Sequence, residues 1–240
     1  MIVIPMAGAS QRFQQAGYRQ PKFMLELAGS FVFDHAVASF QRYFTNTPFL
    51  FVVRDAHAGA FVEARILALG IVGANVVVLG TTTAGQAETV ERGIGELGRS
   101  DDCELTIFNI DTFRPGFLFP DDPWFQTSDG YLEVMSATDP GLSFVQPLEE
   151  NEEPRVARTA EKQVISDLGC TGLYHFRKSG DFREALERER QAPSARELYI
   201  APLYNHLIDR GRHIHYTKIE SSHVVFCGTP EQYQSILNST

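Results

Sequence analysis

Ile2-Val3-Ile4-Pro5-Met6-Ala7-Gly8-Ala9-Ser10-Gln11-Arg12-Phe13, followed by Pro21-Lys22, reads as a short apolar strand, a turn of small residues and a basic segment. Small residues after a strand let backbone N–H groups approach a polyphosphate closely. Arg12 and Lys22 add the positive charge that a triphosphate requires. The first strand of the fold would therefore deliver a nucleotide site. No Gly-Lys-Ser or Gly-Lys-Thr closes the turn, so it is not a Walker loop. The three spaced glycines of a dinucleotide fingerprint are missing as well. Taken alone, the same residues could simply start a helix, as in many α/β proteins.

Working outward, strands and helices alternate. A helical stripe runs over residues 31–43 (Phe31, Phe33, Ala36, Val37, Phe40, Tyr43). Phe49-Leu50-Phe51-Val52-Val53 is a continuous apolar run, as in a parallel strand buried on both faces. Residues 59–69 read as a helix, and residues 75–79 as another buried strand. A helix over 83–97 and a strand over 104–110 follow. Such alternation predicts a largely parallel sheet covered by helices on both faces.

The second half is less regular. Residues 131–136, 143–146 and 168–176 read as strands of a mixed sheet, with an acidic hairpin tip over 149–154. Helices are expected over 182–190 and over 199–210, the latter stopped by Gly211. Late strands fall at 213–218 and 224–226. A final short helix begins at Pro230 with Thr229 as its N-cap. There is no internal repeat and no linker. A single domain over 1–240 is expected, with a nucleotide-binding half (1–115) and an acceptor-binding half (116–240).

The chain has 240 residues, of which 43% are hydrophobic, enough for a full core. Its formal net charge of −9 argues against nucleic-acid binding, which needs a basic face. A small anionic substrate remains compatible with it, because charge within a cleft outweighs the total. Cys103, Cys170 and Cys227 show neither disulfide nor zinc spacing, as in a reduced, cytoplasmic protein. The first apolar run has no basic segment before it and is broken by Pro5 and Gly8, unlike a signal peptide. No stretch is long enough to insert in a membrane.

Several residues carry candidate chemistry. Asp111 follows a strand, where the carboxyl end of a parallel sheet borders the ligand crevice. It could hold Mg²⁺ against nucleotide phosphates or cap a turn before Pro115. In the run Thr83-Ala84-Gly85-Gln86-Ala87-Glu88-Thr89, Gly85 permits close approach of a base and Gln86 offers it a donor and an acceptor. Equally, Thr83 could cap the helix with Gln86 as its capping-box partner. Glu161 and Lys162 would point to opposite faces of a strand, and such a pair is usually solvated. The seven histidines form no catalytic or metal spacing, and His213 and His215 read as surface groups.

Together the segments PMAGASQRF with PKFMLELAG, TAGQAETV, FNIDTF, SFVQPLEE, AEKQVISDLGCTGLYHF, ELYIAPLYNHLI and GTPEQY resemble the sugar-phosphate nucleotidyltransferases, or nucleotide-sugar pyrophosphorylases. The likeness is to a bacterial branch tied to capsule and surface-polysaccharide biosynthesis, and it runs along nearly the whole chain. It implies a Rossmann-like three-layer α/β/α fold of the nucleotide-diphospho-sugar transferase type, with a mixed, mostly parallel sheet. Ala7, Gly8, Ala9 and Ser10 would wrap the triphosphate, with Arg12 and Lys22 as its catalytic cations. Gly85, Gln86, Thr89 and Asn109 would hold the nucleotide. Glu161, Lys162, Thr171 and Gly172 would line the acceptor side, and Asp111 would ligate Mg²⁺.

Two departures stand out. The family usually has a glycine where this chain has Ser10. Many members also carry a second metal-binding carboxylate just before the late Gly-Thr pair, where this chain has Phe226 and Cys227. The implied reaction transfers a nucleotidyl group from an NTP to a phosphorylated sugar or similar small acceptor, releasing pyrophosphate. The partners are thus the NTP and the acceptor, and a homo-oligomer is allowed. The rival readings are a glycosyltransferase of the same fold, of whose Asp-x-Asp motif Asn109-Ile110-Asp111 is a degenerate form, and a non-catalytic nucleotide-binding homologue.

Overall fold

The computed structural model describes residues 1–98, 100–149 and 152–239. In its first half β1 (Ile2–Met6), α1 (Gln11–Gln15), β2 (Glu26–Leu27), β3 (Ser30–Phe31), α2 (Val32–Val37), β4 (Phe49–Val53), α3 (Ala56–Leu69), β5 (Ala74–Val78), α4 (Gln86–Glu96), β6 (Leu105–Phe108) and β7 (Thr112–Phe113) follow one another. The second half carries β8 (Gly130–Ser136), β9 (Ser143–Pro147), β10 (Val156–Glu161), β11 (Leu168–Phe176), α5 (Ser179–Gln191), α6 (Leu203–Ile208), β12 (Ile214–Ile219), β13 (Val225–Phe226) and α7 (Pro230–Ser239).

β5, β4, β1 and β6 lie side by side and parallel. β11 joins this block antiparallel to β6 and is the branch point of the sheet. One of its edges pairs with β6 and, further along, with β9; the other pairs with β8, which carries β12. β10 closes the far side against β9. β7 and β13 form a small separate ribbon. The expected mixed sheet with helices on both faces is present.

The strands explain the layers. Along β1, Ile2, Ile4 and Met6 enter one core and Val3 enters the other; along β4, Phe49, Phe51 and Val53 oppose Leu50 and Val52 in the same way. The first core packs against α2, α3 and α7, the second against α4, α5 and α6. Each central strand is apolar on both sides because each side is covered.

Local chemistry sets the helix ends. The Asp55 carboxylate accepts the Ala58 N–H at 3.0 Å and caps α3, which ends at Gly70 with φ +71°. Thr229 caps α7 as expected, accepting the Gln232 N–H at 3.2 Å. The helix expected over 199–210 is shorter, because Pro202 stands at its N-cap and disfavours helix in the residue before it. The stripe over 31–43 is split between α2 and a 3₁₀ segment at Ala38–Tyr43.

Some expectations are corrected. β5 is half-buried rather than covered on both faces, because it is the outermost strand of the parallel block and Val78 is exposed. His215 is no surface group: it is 1% exposed, stacks on Trp124 at 4.7 Å and faces the Ser128 hydroxyl at 2.8 Å. The acidic tip at 149–154 lies partly outside the described residues. No helix among the described residues is long and apolar enough to cross a membrane.

Candidate active site

The segments after β1, β5 and β6 converge at the carboxyl ends of the parallel strands, where an open α/β sheet binds its ligands. They line a cleft of about 820 Å³. A second hollow of about 490 Å³ opens beside it, lined in part by Ser143, Glu161, Thr171 and Gly172. Arg12, Gln86, Asn109, Asp111, Tyr199 and Gly228 line both. Fourteen of the fifteen candidate residues border one space or the other: only Thr171, Gly172 and Glu161 are confined to the second, and Lys162 alone borders neither, as described below.

Ala7, Gly8, Ala9 and Ser10 form one wall of the larger cleft. Ser10 sits at φ +51°, ψ +37°, the left-handed region that glycine enters freely, so the residue that replaces the family's glycine keeps a glycine-like backbone. Its hydroxyl accepts the Lys22 N–H at 3.3 Å and so links the turn to the basic segment. Phe23 and Met24, buried in the core, anchor that segment from behind. Arg12 stands exposed at the mouth. The Glu231 carboxyl nearby is held below its usual range by its own backbone N–H first, then by the Thr229 hydroxyl, with a smaller pull from Arg12.

Asp111 follows β6 as expected. Its Oδ2 forms an ion pair with Lys22 Nζ, and the two side chains are 23% and 21% exposed. A Cβ at position 228 would stand 2.9 Å from that oxygen, so Gly228 leaves one side of the carboxylate open. Phe226 lies opposite Thr112 in the β7–β13 ribbon, and the Cys227 N–H donates to the Asp111 carbonyl at 2.7 Å. The segment without a carboxylate is therefore the one beside Asp111. Cys227 does not substitute for it: the thiol is buried, and burial first, then the charge of Asp111, pushes its pKa up to about 12. Among the described residues no three His, Cys, Asp or Glu gather to hold a metal. One carboxylate with open space beside it fits Mg²⁺ that completes its shell with phosphate oxygens and water.

The residues expected to hold the nucleotide are knit together. The Gln86 amide donates to Asn109 Oδ1 at 2.6 Å, and Asn109 N–H donates to the Gly172 carbonyl at 3.1 Å. Gly85 caps α4, not Thr83, so the capping-box alternative does not hold. A Cβ on Gly85 would meet the Leu198 backbone at 2.5 Å, so this glycine also lets the 196–199 segment close over the cleft. Thr89 is buried, its hydroxyl engaged by the Gly85 carbonyl and by Thr83.

On the second hollow, the Glu161 carboxylate accepts the Ser143 hydroxyl. Burial raises its pKa above the usual carboxylate range; Ser143 and Lys162 pull it down and Glu197 pushes it up. Lys162 follows the end of β10 at φ +53°, so strand alternation no longer governs it. Its ammonium lies 4.3 Å from the centre of the Tyr199 ring and donates to the Tyr199 hydroxyl, so it borders the site only through Tyr199. Thr171 is fully buried, and its hydroxyl donates to Glu133 at 3.0 Å. Glu133 is 2% exposed and is gripped by Arg114 Nε at 3.0 and 3.1 Å. Thr171 thus belongs to the floor, with its donor turned away from the hollow.

Arg196 and Tyr199 also line the larger cleft. Neither is expected as a site residue: Arg196 lies outside every motif, and Tyr199, although inside the segment ELYIAPLYNHLI, reads only as the start of a helix. The packing of Leu198 against Gly85, with backbone bonds from Leu198 N–H to the Ala84 carbonyl at 3.0 Å and from Ala87 N–H to the Leu198 carbonyl at 2.9 Å, brings them there and is invisible in sequence.

This architecture and cleft are those of a nucleotidyltransferase. The chain is 48% identical to a nucleoside-diphosphate-sugar pyrophosphorylase from Vibrio cholerae RC9, covering 99% of this chain and 100% of that one, with a TM-score of 0.92. An inositol-1-phosphate CTP transferase from T. maritima shares the fold at 15% identity, 98% and 94% coverage and a TM-score of 0.74. A UTP-bound UGPase from Acinetobacter baumannii does so at 14% identity, 99% and 92% coverage and a TM-score of 0.71. No protein-family model and no curated protein sequence matches the chain. The chain belongs to the nucleoside-diphosphate-sugar pyrophosphorylase family.

Proposed function

We propose that this enzyme transfers a nucleoside monophosphate from an NTP to a phosphorylated sugar or similar small phosphorylated acceptor, with release of pyrophosphate, for capsule or surface-polysaccharide biosynthesis. The observation that carries the reading is the meeting of two hollows at Asp111, Arg12 and Gly228. One is walled by a small-residue turn and cations; the other is walled by hydroxyls and a carboxylate. The halves 1–115 and 116–240 would then bind nucleotide and acceptor respectively.

In this reading an acceptor phosphate oxygen attacks the α-phosphorus of the NTP, the α–β bridging bond breaks, and pyrophosphate leaves with its electrons. The attacking phosphate is already ionised near neutral pH, so no general base is needed. Catalysis is then positioning and charge neutralisation. Arg12 and Lys22 neutralise the phosphates, while Ala7–Ser10 present backbone to them. Gln86 and Asn109 face the nucleotide with the polar groups that border the cleft. Mg²⁺, held by Asp111 when bound with nucleotide, would act as a Lewis acid on phosphate oxygens.

Glu161 and Ser143 suit an acceptor body that donates hydrogen bonds, as hydroxyls do. The test is a matrix of four NTPs against phosphorylated metabolites, read by pyrophosphate release. Nucleoside diphosphate release from a sugar nucleotide would instead establish a glycosyltransferase, and binding without turnover a non-catalytic homologue.

A further inference from the structure

We infer that Lys22 is a placeholder for the metal: in the nucleotide-free enzyme its ammonium occupies the cation position of Asp111, and it transfers to phosphate when the metal–NTP complex enters. This rests on the proposed function, and it assigns to Lys22 a second role besides phosphate binding.

The ion pair joins the proposed phosphate-binding cation to the proposed metal ligand. Both side chains are about equally and only partly exposed, so the pair sits within the cleft wall. The backbone holds Lys22 there through its N–H to the Ser10 hydroxyl and through buried Phe23 and Met24. On the opposite side, Gly228 leaves room at the same Asp111 oxygen that Lys22 contacts.

A single carboxylate is a poor site for Mg²⁺, which sheds its water reluctantly and demands near-octahedral oxygen ligands. The metal alone would have to displace an ammonium and leave that ammonium without a counter-charge. With NTP present, the β- and γ-phosphates offer Lys22 a replacement anion while they supply the missing metal ligands. No charge is then stranded at any stage. At a partly exposed site the Lys22–Asp111 attraction is modest. It is thus enough to compete with one-carboxylate metal binding and too little to hinder the metal–nucleotide complex. Relatives with two carboxylates would not need such a device; here the corresponding segment, Phe226-Cys227, carries none.

The experiment is Mn²⁺ titration, followed by electron paramagnetic resonance, of the nucleotide-free protein as wild type, Lys22→Met and the Lys22→Met/Asp111→Asn double variant. Removing the placeholder should tighten Mn²⁺ binding by roughly tenfold or more, within the range of ordinary coupling between sites, and the double variant should lose the gain. Equal Mn²⁺ affinity in wild type and folded Lys22→Met overturns the inference, as does a gain that survives Asp111→Asn. Because Lys22→Met could fail to fold, the wild type is also followed by the ¹⁵N resonance of its Lys22 ammonium. That resonance should move on adding Mg²⁺ with a non-hydrolysable NTP and stay in place with Mg²⁺ alone; an equal shift with Mg²⁺ alone overturns the inference. These readouts need no turnover. Absent pyrophosphate release with the Mn²⁺ gain intact counts against the proposed function alone, and normal turnover without the gain counts against the placeholder alone.

Discussion

The larger cleft and the second hollow meet at Asp111 but are built differently. The first takes its walls from the carboxyl ends of neighbouring parallel strands and from a turn that is continuous in sequence from Ala7 to Arg12. The second draws on β9, β10, β11, the loop after β8 and the residues entering α7, segments far apart in the chain. A polyphosphate is the same in every NTP and can be held by a contiguous turn and fixed cations. An acceptor body varies between enzymes of one fold, and a wall of scattered segments can change one residue at a time without touching the Ala7–Arg12 turn.

The seam between the regions should be the most sensitive point. Asp111→Asn keeps shape and removes charge, so the fold should survive. In the proposed function, loss of the carboxylate would remove the protein's hold on a metal whose Lewis acidity supplies several kcal/mol. Turnover should therefore fall by roughly 10³-fold or more. Unchanged pyrophosphate release at limiting Mg²⁺ would show that Asp111 is only a partner for Lys22.

One step into the nucleotide side, Lys22→Ala should slow pyrophosphate release by about 10²–10³, the loss expected for one preorganised charge-stabilising group. Thermal stability should barely move, because a partly exposed ion pair contributes little to folding. Normal kinetics in this variant would break the comparison, since the cationic wall would then be ornamental to the chemistry.

On the acceptor side, Glu161→Gln tests the other wall. Loss of a charged hydrogen-bond acceptor should raise the acceptor KM by roughly 10–100-fold while the NTP KM stays put. An effect on NTP instead would mean that the two regions are not divided as proposed. The pH dependence adds a sign. Burial raises the Glu161 carboxyl, so the folded state binds that proton more tightly than the unfolded chain does. Its favourable contribution is complete below the unfolded value of about 4.3 and is lost as pH rises through the higher folded value. Across that window wild-type Tm should fall relative to Glu161→Gln; a gap that moves the other way refutes the assignment.

These tests also mark what the chain discloses before folding. The two-sided apolar runs at Ile2–Met6 and Phe49–Val53 announce buried parallel strands because side chains alternate and both faces are covered. Asp111 is legible because it lies just past such a strand, after Asn109 and Ile110. Edge position is not legible: Val76 and Val77 look like Leu50 and Val52, yet β5 has a neighbour on one side only among the described residues. Nor is any contact made across long separations. Lys22 with Asp111, Gly85 with Leu198 and Thr171 with Glu133 each depend on where the sheet places loops distant in sequence. The direction of a hydroxyl is equally hidden, which is why Thr171 reads as a binding residue but lies in the floor.

Ser10 offers the smallest and finest test, because it bears on how the phosphate turn is held. A non-glycine residue in the left-handed region costs about 1–2 kcal/mol. Ser10→Gly would relieve that strain, but glycine also loses about 0.5–1 kcal/mol of extra chain entropy on folding. The variant further loses the 3.3 Å acceptor for the Lys22 N–H, a bond worth about 1 kcal/mol at most. The terms nearly cancel, so Tm should stay within about 3 °C of wild type, a shift of about 1 kcal/mol for a chain of this size. The kinetic signature should not cancel: with the turn unhitched from the Lys22 segment, the NTP KM should rise by a few-fold, roughly 1 kcal/mol of lost positioning, while the acceptor KM holds. Differential scanning calorimetry and steady-state kinetics read the two arms separately. A Tm rise above about 5 °C with an unchanged NTP KM would mean that the serine hydroxyl positions nothing and that Ser10 carries only strain.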